Sequence, residues 1–195
     1  MADRTVAEFG GIDYLVNNAA IYGGMKLDLL LTVEWDYYKK FMSVNLDGAL
    51  VCSRAVYRKM AKRGGGAIVN VLSDAVWVAR PFLSAYAASK AAAWSFTNSL
   101  RIELRGQNTL VQGVHVGFMD TDMTAALDVP KSSPADVAAQ VMDGLEAGAF
   151  EVMTSWRGIP AEQLLNHYAI DLTHRLAKLE GGIEVVLDRT LVAAG

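Results

Sequence analysis

The sequence has few of the features that mark secreted, membrane-spanning or nucleic-acid-binding proteins. Cys52 is its one cysteine, which excludes an internal disulfide. No apolar run approaches the roughly 18 residues of a membrane-spanning helix, and the first ten residues lack the apolar core of a signal peptide. Its 18 basic and 21 acidic residues are mixed along the chain, so no basic face predicts binding to nucleic acid or to a membrane. We expect a cytoplasmic protein.

The composition is typical of one folded domain. Hydrophobic residues make up 52% of the chain and charged residues 20%, which is the balance of a globular protein with a substantial core. No internal repeat, low-complexity tract or linker divides the sequence. We therefore expect a single domain over residues 1–195, with its core over 1–159 and a C-terminal extension over 160–195.

Segments typical of helices alternate with short apolar segments typical of strands, which predicts an α/β fold with a parallel sheet. The predicted helices cover 2–9, about 33–62 with Thr32 as N-cap, 84–104, a segment from Pro134 with Ser133 as N-cap, and about 161–179. The predicted strands cover 12–16, 67–72, 110–116, 150–154 and 183–187. Glycines at 10–11, 64–66 and 106 are predicted to end the helices that precede them.

The strongest chemical signal is the pair Tyr86 and Lys90 on the predicted helix 84–104. Residues four apart share one face of a helix, so the ammonium lies close to the phenol. A neighbouring cation lowers the phenol pKa from its usual value of about 10, which lets the phenol exchange a proton near neutral pH. An isolated pair with this spacing is more often a surface pair, so its weight comes from its surroundings.

A serine at the end of a buried strand strengthens the signal. Ser73 follows the predicted strand 67–72 and precedes Tyr86 by 13 residues. The carboxyl ends of parallel strands are where α/β sheets bind ligands, so this hydroxyl is placed to hydrogen-bond a substrate carbonyl oxygen. The alternative interpretation is an ordinary turn serine. Trp77 and Phe82 flank the same loop, and they line either a substrate pocket or the core.

Five motifs, in this order, resemble the short-chain dehydrogenase/reductase family over residues 8–124. The motifs are Asn17-Asn18-Ala19-Ala20, Met42-Ser43-Val44-Asn45-Leu46, Ile68-Val69-Asn70-Val71-Leu72-Ser73, the pair Tyr86/Lys90, and the segment 115–123 with the letters HVGFMDTDM. Two positions depart from the family pattern, because Ala20 replaces a glycine and Val116 replaces the usual proline.

The resemblance implies a Rossmann-like three-layer fold and an oxidoreductase that interconverts an alcohol and a ketone or aldehyde with NAD or NADP. Tyr86 is then the general acid/base, and Lys90 lowers its pKa and holds the nicotinamide ribose. Ser73 orients the carbonyl, and Asn45 anchors a water that links Lys90 to solvent. The cofactor-binding residues implied by the resemblance are Asn17, Ala19, Tyr86, Lys90, Gly117 and Thr121.

The resemblance also identifies what is missing. Family members begin with a strand, a glycine-rich turn and a helix whose amides bind the pyrophosphate. Here the dense glycine cluster 64–66 runs from helix into strand, which is the reverse order. The resemblance therefore implies that roughly three βα units of the Rossmann pattern are missing, and we expect a fold truncated in its N-terminal half. The segment 12–16 becomes a sheet edge, which the strand 183–187 or a second chain is expected to cover unless the chain is poorly stable.

Three functions stay open at this point. The complete set of catalytic residues favours an oxidoreductase, whereas the missing loop favours a catalytically silent binding or scaffold protein or an incomplete form of a longer enzyme. The family commonly pairs through helices equivalent to 33–62 and 84–104, which implies a homo-oligomer, a dimer or tetramer. His115 is expected to be packed, and His167 and His174 share a helix face without completing a metal site.

Overall fold

The computed structural model describes residues 1–22, 31, 33–77 and 83–154. Within these ranges the chain forms a parallel sheet with helices on both faces, which confirms the predicted fold class. Thr32, Phe82, His167, His174 and the predicted elements at 161–179 and 183–187 lie outside the described residues. The proposal that 183–187 covers the sheet edge therefore stays a prediction.

The four strands in the described part of the chain run parallel and lie in the sheet in their sequence order. They are β1 (Tyr14–Asn17), β2 (Gly66–Val71), β3 (Thr109–His115) and β4 (Glu151–Met153). The predicted strands in this part of the chain are confirmed, with their ends displaced by one or two residues. β2 forms because a run of small and β-branched residues suits a strand that is buried on both faces, and Ala67–Asn70 are all buried.

The helices form the two outer layers. They are α1 (Ala2–Phe9), α2 (Trp35–Met42), α3 (Gly48–Lys62), α4 (Ser84–Leu104) and α5 (Pro134–Glu146). Successive side chains of a strand point to opposite faces, so Ile68 packs with residues of α3 and α4 while its neighbour Val69 packs with α5. The first layer buries Ile12, Val56, Met60, Ile68, Leu100, Leu104 and Val111, and the second buries Val69, Val114, Val116, Val137 and Val152.

The predicted long helix 33–62 is wrong in one respect. A π-helical turn, Ser43–Asp47, separates α2 from α3. The N–H of Gly48 donates to the carbonyl of Ser43, five residues earlier, so one extra residue is accommodated in the turn. The turn matters for the site because it carries Asn45, which is 4% exposed.

Helix ends follow the predicted chemistry with one correction. Gly10 ends α1 in the left-handed conformation at φ 77°, and the Ser133 hydroxyl accepts from two amides at the start of α5. Gly106 does not end α4. The helix tightens into a 3₁₀ turn, Arg105–Gln107, and Asn108 takes the left-handed conformation at φ 54°. Asparagine is one of the few residues other than glycine that adopts this conformation readily.

β1 is the last strand on its side of the sheet among the described residues, as predicted. Its outward side chains Tyr14 and Val16 are 62% and 56% exposed. In the described ranges, no helix combines the length and hydropathy needed to cross a membrane.

Candidate active site

A cavity of about 410 Å³ lies where β1, β2 and β3 end. Its wall is formed by the segments that follow these strands and by the first two turns of α4. This is the edge at which α/β sheets bind ligands. The cavity brings together most of the residues predicted for catalysis and cofactor binding, namely Ala19, Ser73, Tyr86, Lys90, Gly117 and Thr121.

Lys90 reaches the cavity from inside the protein. Its side chain is 3% exposed, and its Nζ donates a 2.8 Å hydrogen bond to the carbonyl oxygen of Val71. The small buried side chains of Ala85, Ser89 and Ala93 let α4 lie close enough to the sheet for this contact. Burial lowers the pKa of Lys90 from its usual 10.5 to about 8, because a charged group loses its hydration in the interior.

Tyr86 lies one helical turn before Lys90 on the same face of α4. The Nζ of Lys90 is 5.9 Å from the centre of the Tyr86 ring. The ring also meets Tyr22 edge-on, with 5.2 Å between the ring centres and 79° between their planes. The edge-on contact with Tyr22 and the cation of Lys90 position the ring, which is partly exposed and lines the cavity.

Ser73 both lines the cavity and caps a turn, so the structure agrees with both interpretations of its sequence position, a ligand-binding hydroxyl and a turn serine. It lines the cavity and is 6% exposed. Its Oγ also accepts a 3.1 Å hydrogen bond from the N–H of Ala75, which caps the short turn Asp74–Val76, and donates to Oδ1 of Asp74 at 3.2 Å. The N–H of Asp74 donates to the carbonyl of Val116 at 2.9 Å, so the turn is tied to the segment that follows β3.

Asn45 is absent from the described cavity lining. It contacts the segment after β1 and the first turns of α4, which carry residues that do line the cavity. Its Oδ1 accepts from the N–H of Ile21 at 2.8 Å, and its Nδ2 donates to the carbonyl of Ile21 at 3.1 Å and to Oγ of Ser89 at 2.9 Å. Ser89 in turn donates to the carbonyl of Tyr86 at 2.7 Å. The side chain therefore ties the segment after β1 to the helical turn that carries Tyr86.

Asn17 also lies outside the described lining of the cavity. Its Nδ2 donates to Oδ1 of Asn70 at 2.7 Å and to Oγ of Ser53 at 3.3 Å, and Asn70 donates onward to Oγ1 of Thr97 at 2.9 Å. These polar groups join β1, β2, α3 and α4. The cofactor contact expected of Asn17 stays a prediction.

Sequence reasoning missed Asn70 and Ser89 as supporting residues. Both are buried, at 2% and 0% exposure, and both complete hydrogen bonds to predicted site residues. The sequence does contain a hint for Asn70, because a lone polar residue inside an apolar, β-branched run indicates a buried side chain that needs a hydrogen-bond partner. Ser89 had no such hint beyond its position between Tyr86 and Lys90, since serine is common on exposed helix faces as well.

Trp77 does not line this cavity among the described residues. It packs instead against Trp94, with 4.3 Å between the ring centres, and against His115. His115 is 2% exposed and is packed, as expected. Within the described ranges, no group of three histidine, cysteine or carboxylate side chains is arranged to hold a metal ion.

The residues that line the cavity suit the binding of a nicotinamide cofactor. The small residues Ala19, Ala20 and Gly117 leave main chain open to a ligand at the strand ends. The ammonium of Lys90 has three N–H donors, and the described residues supply the carbonyl of Val71 as its acceptor. Lys90 therefore retains donors for the hydroxyls of a ribose, in a wall that also carries the polar side chains of Ser73 and Thr121.

The chain is similar to known proteins over most of its length. A family model described as short chain dehydrogenase matches residues 1–131. An uncharacterized oxidoreductase of Mycobacterium tuberculosis is 46% identical over 182 residues, which cover 93% of this chain and 70% of that protein. A 3-oxoacyl-(acyl-carrier-protein) reductase of Salmonella typhimurium is 32% identical over 180 residues, which cover 92% of this chain and 70% of that protein.

The same similarity holds in three dimensions. A short chain dehydrogenase from Burkholderia cenocepacia, solved in complex with NADP, superposes with a TM-score of 0.76 and 30% identity. The match covers 93% of this chain and 74% of that chain. A short-chain dehydrogenase from Streptomyces avermitilis, at 21% identity and a TM-score of 0.77, shares the fold.

Proposed function

The chain belongs to the short-chain dehydrogenase/reductase family of NAD- or NADP-dependent oxidoreductases, and we propose that it interconverts an alcohol and a ketone or aldehyde with Tyr86 as general acid/base. The family expected from the five sequence motifs is confirmed. The observation that carries the proposal is that Ser73, Tyr86 and Lys90 all line one cavity. These are the groups needed to orient a carbonyl oxygen and to move a proton to it.

Proton transfer is assigned to Tyr86. During reduction its phenol gives a proton to the carbonyl oxygen, and during oxidation its phenolate removes a proton from the alcohol. The nearby ammonium of Lys90 stabilises the phenolate. The bound nicotinamide cofactor supplies or accepts the hydride, and the protein contributes orientation and electrostatics.

Ser73 is assigned to the carbonyl oxygen. The N–H of Ala75 donates to Oγ of Ser73 and fixes its position, while the Ser73 hydroxyl donates its own proton to Oδ1 of Asp74. Rotation of this hydroxyl toward the cavity redirects the proton to a substrate oxygen without moving the Oγ atom. Asn45 and Ser89 support Tyr86 from behind by holding the first turns of α4 against the segment after β1.

The cofactor is assigned to the part of the cavity nearest the sheet. Lys90 provides donors for the ribose, and Ala19, Gly117 and Thr121 form the adjoining wall. Asn17 supports this wall through its hydrogen bond to Asn70. Two relatives are named as a 3-oxoacyl-(acyl-carrier-protein) reductase and a 2-(R)-hydroxypropyl-CoM dehydrogenase. Their names suggest that the first substrates to test are ketones that carry a thioester or a thioether near the carbonyl group.

The test begins with fluorescence titrations of the chain with NADH and with NADPH. Oxidation of the bound cofactor is then followed by its absorbance with acetoacetyl-CoA, simple ketones and aldehydes. Tyr86→Phe is expected to bind cofactor as the unaltered chain does and to lose turnover by about a thousandfold or more. Tyr38→Phe, which changes a tyrosine stacked on Trp35 on α2, is the matched control.

Each outcome separates the candidate functions. Saturable binding with turnover that depends on Tyr86 supports the proposal. Binding without turnover of any tested carbonyl by the folded chain supports a catalytically silent binding protein. No binding at millimolar cofactor contradicts an enzyme made of these 195 residues alone.

A further inference from the structure

A cluster of polar and aromatic side chains surrounds the buried His115 outside the described lining of the cavity, and the proposed chemistry does not use it. At its centre is His115, the last residue of β3. Its Nδ1 is 3.1 Å from Nε1 of Trp77, and its Nε2 is 2.9 Å from Oε2 of Glu151. Both ring nitrogens of a nearly inaccessible histidine therefore have a side-chain partner, one of which comes from the loop after Ser73.

The hydrogen bonds define the protonation of His115. An indole nitrogen is a donor only, so Nδ1 of His115 must accept from Trp77 through its lone pair. The single ring proton then lies on Nε2 and is donated to the carboxylate of Glu151. These hydrogen bonds together select one tautomer of His115, with its acceptor nitrogen directed at the indole.

Further hydrogen bonds hold Glu151 and the main chain of His115 in place. Oε1 of Glu151 accepts from Nη1 of Arg101 at 2.7 Å and from Nε1 of Trp94 at 3.3 Å. Burial raises the pKa of Glu151, but the hydrogen bonds from His115 and Arg101 outweigh this and keep it below its ordinary value. The carbonyl of His115 also accepts from the N–H of Thr154 at 3.1 Å. The histidine is therefore a fixed point from which another element can be positioned.

The element that it positions is the turn after Ser73. The N–H of Trp77 donates to the carbonyl of Asp74 at 3.0 Å, and the N–H of Ala75 donates to Oγ of Ser73 at 3.1 Å. The same turn is thus bound at one end to the hydroxyl in the cavity and at the other end to the indole on His115. The indole and the amide that holds the serine therefore belong to one hydrogen-bonded turn.

We propose that His115 is a positioning residue for the reaction, because it accepts the indole N–H of Trp77 and so fixes the turn that places Ser73 in the cavity. The inference rests on the proposed function, since Ser73 matters only if a carbonyl oxygen binds there. His115 touches no reacting atom in this account and acts through Trp77.

Turnover measurements on the full chain test the role. Trp77→Phe and His115→Phe each remove this hydrogen bond from one side, and each is expected to lower kcat about tenfold, with KM for the nicotinamide cofactor unchanged. His115→Asn places an amide oxygen near the position of Nδ1 and is expected to recover most of the loss. The double variant is expected to be no worse than Trp77→Phe alone, because both substitutions remove one interaction.

Trp94→Phe is the matched control. It removes an indole N–H from the same cluster, but that N–H donates to Glu151 and not to His115. Its kcat is expected to stay within about twofold of the unaltered chain. Equal losses in Trp94→Phe and Trp77→Phe, or no recovery in His115→Asn, overturn the positioning role and leave a general packing effect.

Hydrogen exchange of the Trp77 indole N–H, assigned in nuclear magnetic resonance spectra through Trp77→Phe, tests the bond without turnover. The proton is expected to be protected in the unaltered chain and in Trp94→Phe, and to exchange faster in His115→Phe. Equal exchange in the unaltered chain and His115→Phe overturns the inference even if the enzyme is active. An inactive unaltered chain with a protected indole contradicts the proposed function instead, and the positioning role falls with it.

Discussion

The Nζ of Lys90 donates a 2.8 Å hydrogen bond to the carbonyl oxygen of Val71, so a buried cation is anchored to the end of the strand that leads to Ser73. A neutral carbonyl offsets only part of the hydration that the ammonium loses. This is why burial lowers the pKa of Lys90 to about 8. The charge that the proposed mechanism needs beside Tyr86 is therefore one that alkaline pH removes readily.

The first prediction concerns the pH dependence of carbonyl reduction. As pH rises through about 8, Lys90 loses its proton and no longer stabilises the phenolate of Tyr86. We expect kcat/KM for reduction to fall above that pH in initial-rate measurements. Lys90→Arg keeps a cation at all these pH values, so its remaining activity is expected to lack this decline. The same decline in Lys90→Arg would assign it to another group.

The second prediction concerns stability. The pKa of Lys90 is about 8 in the folded chain and near 10.5 when unfolded, so between these values the unfolded state binds more protons. The penalty for burying the cation is fully present below pH 8 and is relieved as pH rises to 10.5. Compared with Lys90→Met, the unaltered chain is expected to gain up to about 3 kcal/mol of unfolding free energy over this window.

Urea unfolding at several pH values measures this difference. Lys39→Met, which removes an exposed lysine paired with Asp36, is the control and is expected to follow the unaltered chain. A constant difference between the unaltered chain and Lys90→Met from pH 8 to 10.5 would show that the buried lysine does not titrate in this range.

The third prediction compares two serines of α4. Oγ of Ser89 is buried, accepts from Asn45 and donates to the carbonyl of Tyr86, whereas Ser99 makes an exposed bond to the carbonyl of Ser95. Ser89→Ala is expected to cost about 1–2 kcal/mol in denaturant unfolding, because it leaves buried groups unpaired. It is also expected to lower kcat, since the turn that carries Tyr86 loosens. Ser99→Ala is expected to change stability by less than about 0.5 kcal/mol, and similar losses in both variants would contradict the support role of Ser89.

The fourth prediction concerns the turn between α3 and β2. Gly64 and Gly65 both have positive φ, at 91° and 127°. A Cβ at Gly65 would overlap the carbonyl oxygen of Asn108, whereas a Cβ at Gly64 would meet no atom within 4 Å. Gly65→Ala is expected to cost about 3 kcal/mol or more, and Gly64→Ala about 1–2 kcal/mol for backbone strain alone. Equal losses in thermal unfolding would show that the loop of Asn108 moves aside.

Much of the fold was predictable because its signals are local. The β-branched run of β2 and the alanine-rich stretch of α4 each favour one kind of element, and the glycines at 10 and 64–66 mark real chain reversals. The grouping of three residues proposed for catalysis at one cavity was predictable for the same reason. Tyr86 and Lys90 share a helix face by their spacing, and Ser73 closely follows β2, a strand that is buried at every position but its two ends.

The features that were missed depend on the whole fold. The π turn at Ser43–Asp47 adds one residue to a helical turn, which leaves the apolar pattern on both sides intact. The pairing of Asn17 with Asn70 depends on β1 and β2 being neighbours in register. The contact between Trp77 and His115 joins residues 38 positions apart through the sheet. No local pattern specifies such partners.

The central claim is hydride transfer to a carbonyl with the proton supplied by Tyr86. The most direct measurement uses NADPH or NADH carrying deuterium on one face of the nicotinamide carbon that donates hydride, with mass spectrometry of the alcohol product. The unaltered chain is expected to transfer the label from one face only, and Tyr86→Phe to form almost no labelled alcohol while still binding cofactor. Alcohol that carries no label whichever face of the cofactor holds the deuterium, or equal labelled product from Tyr86→Phe, would contradict the account.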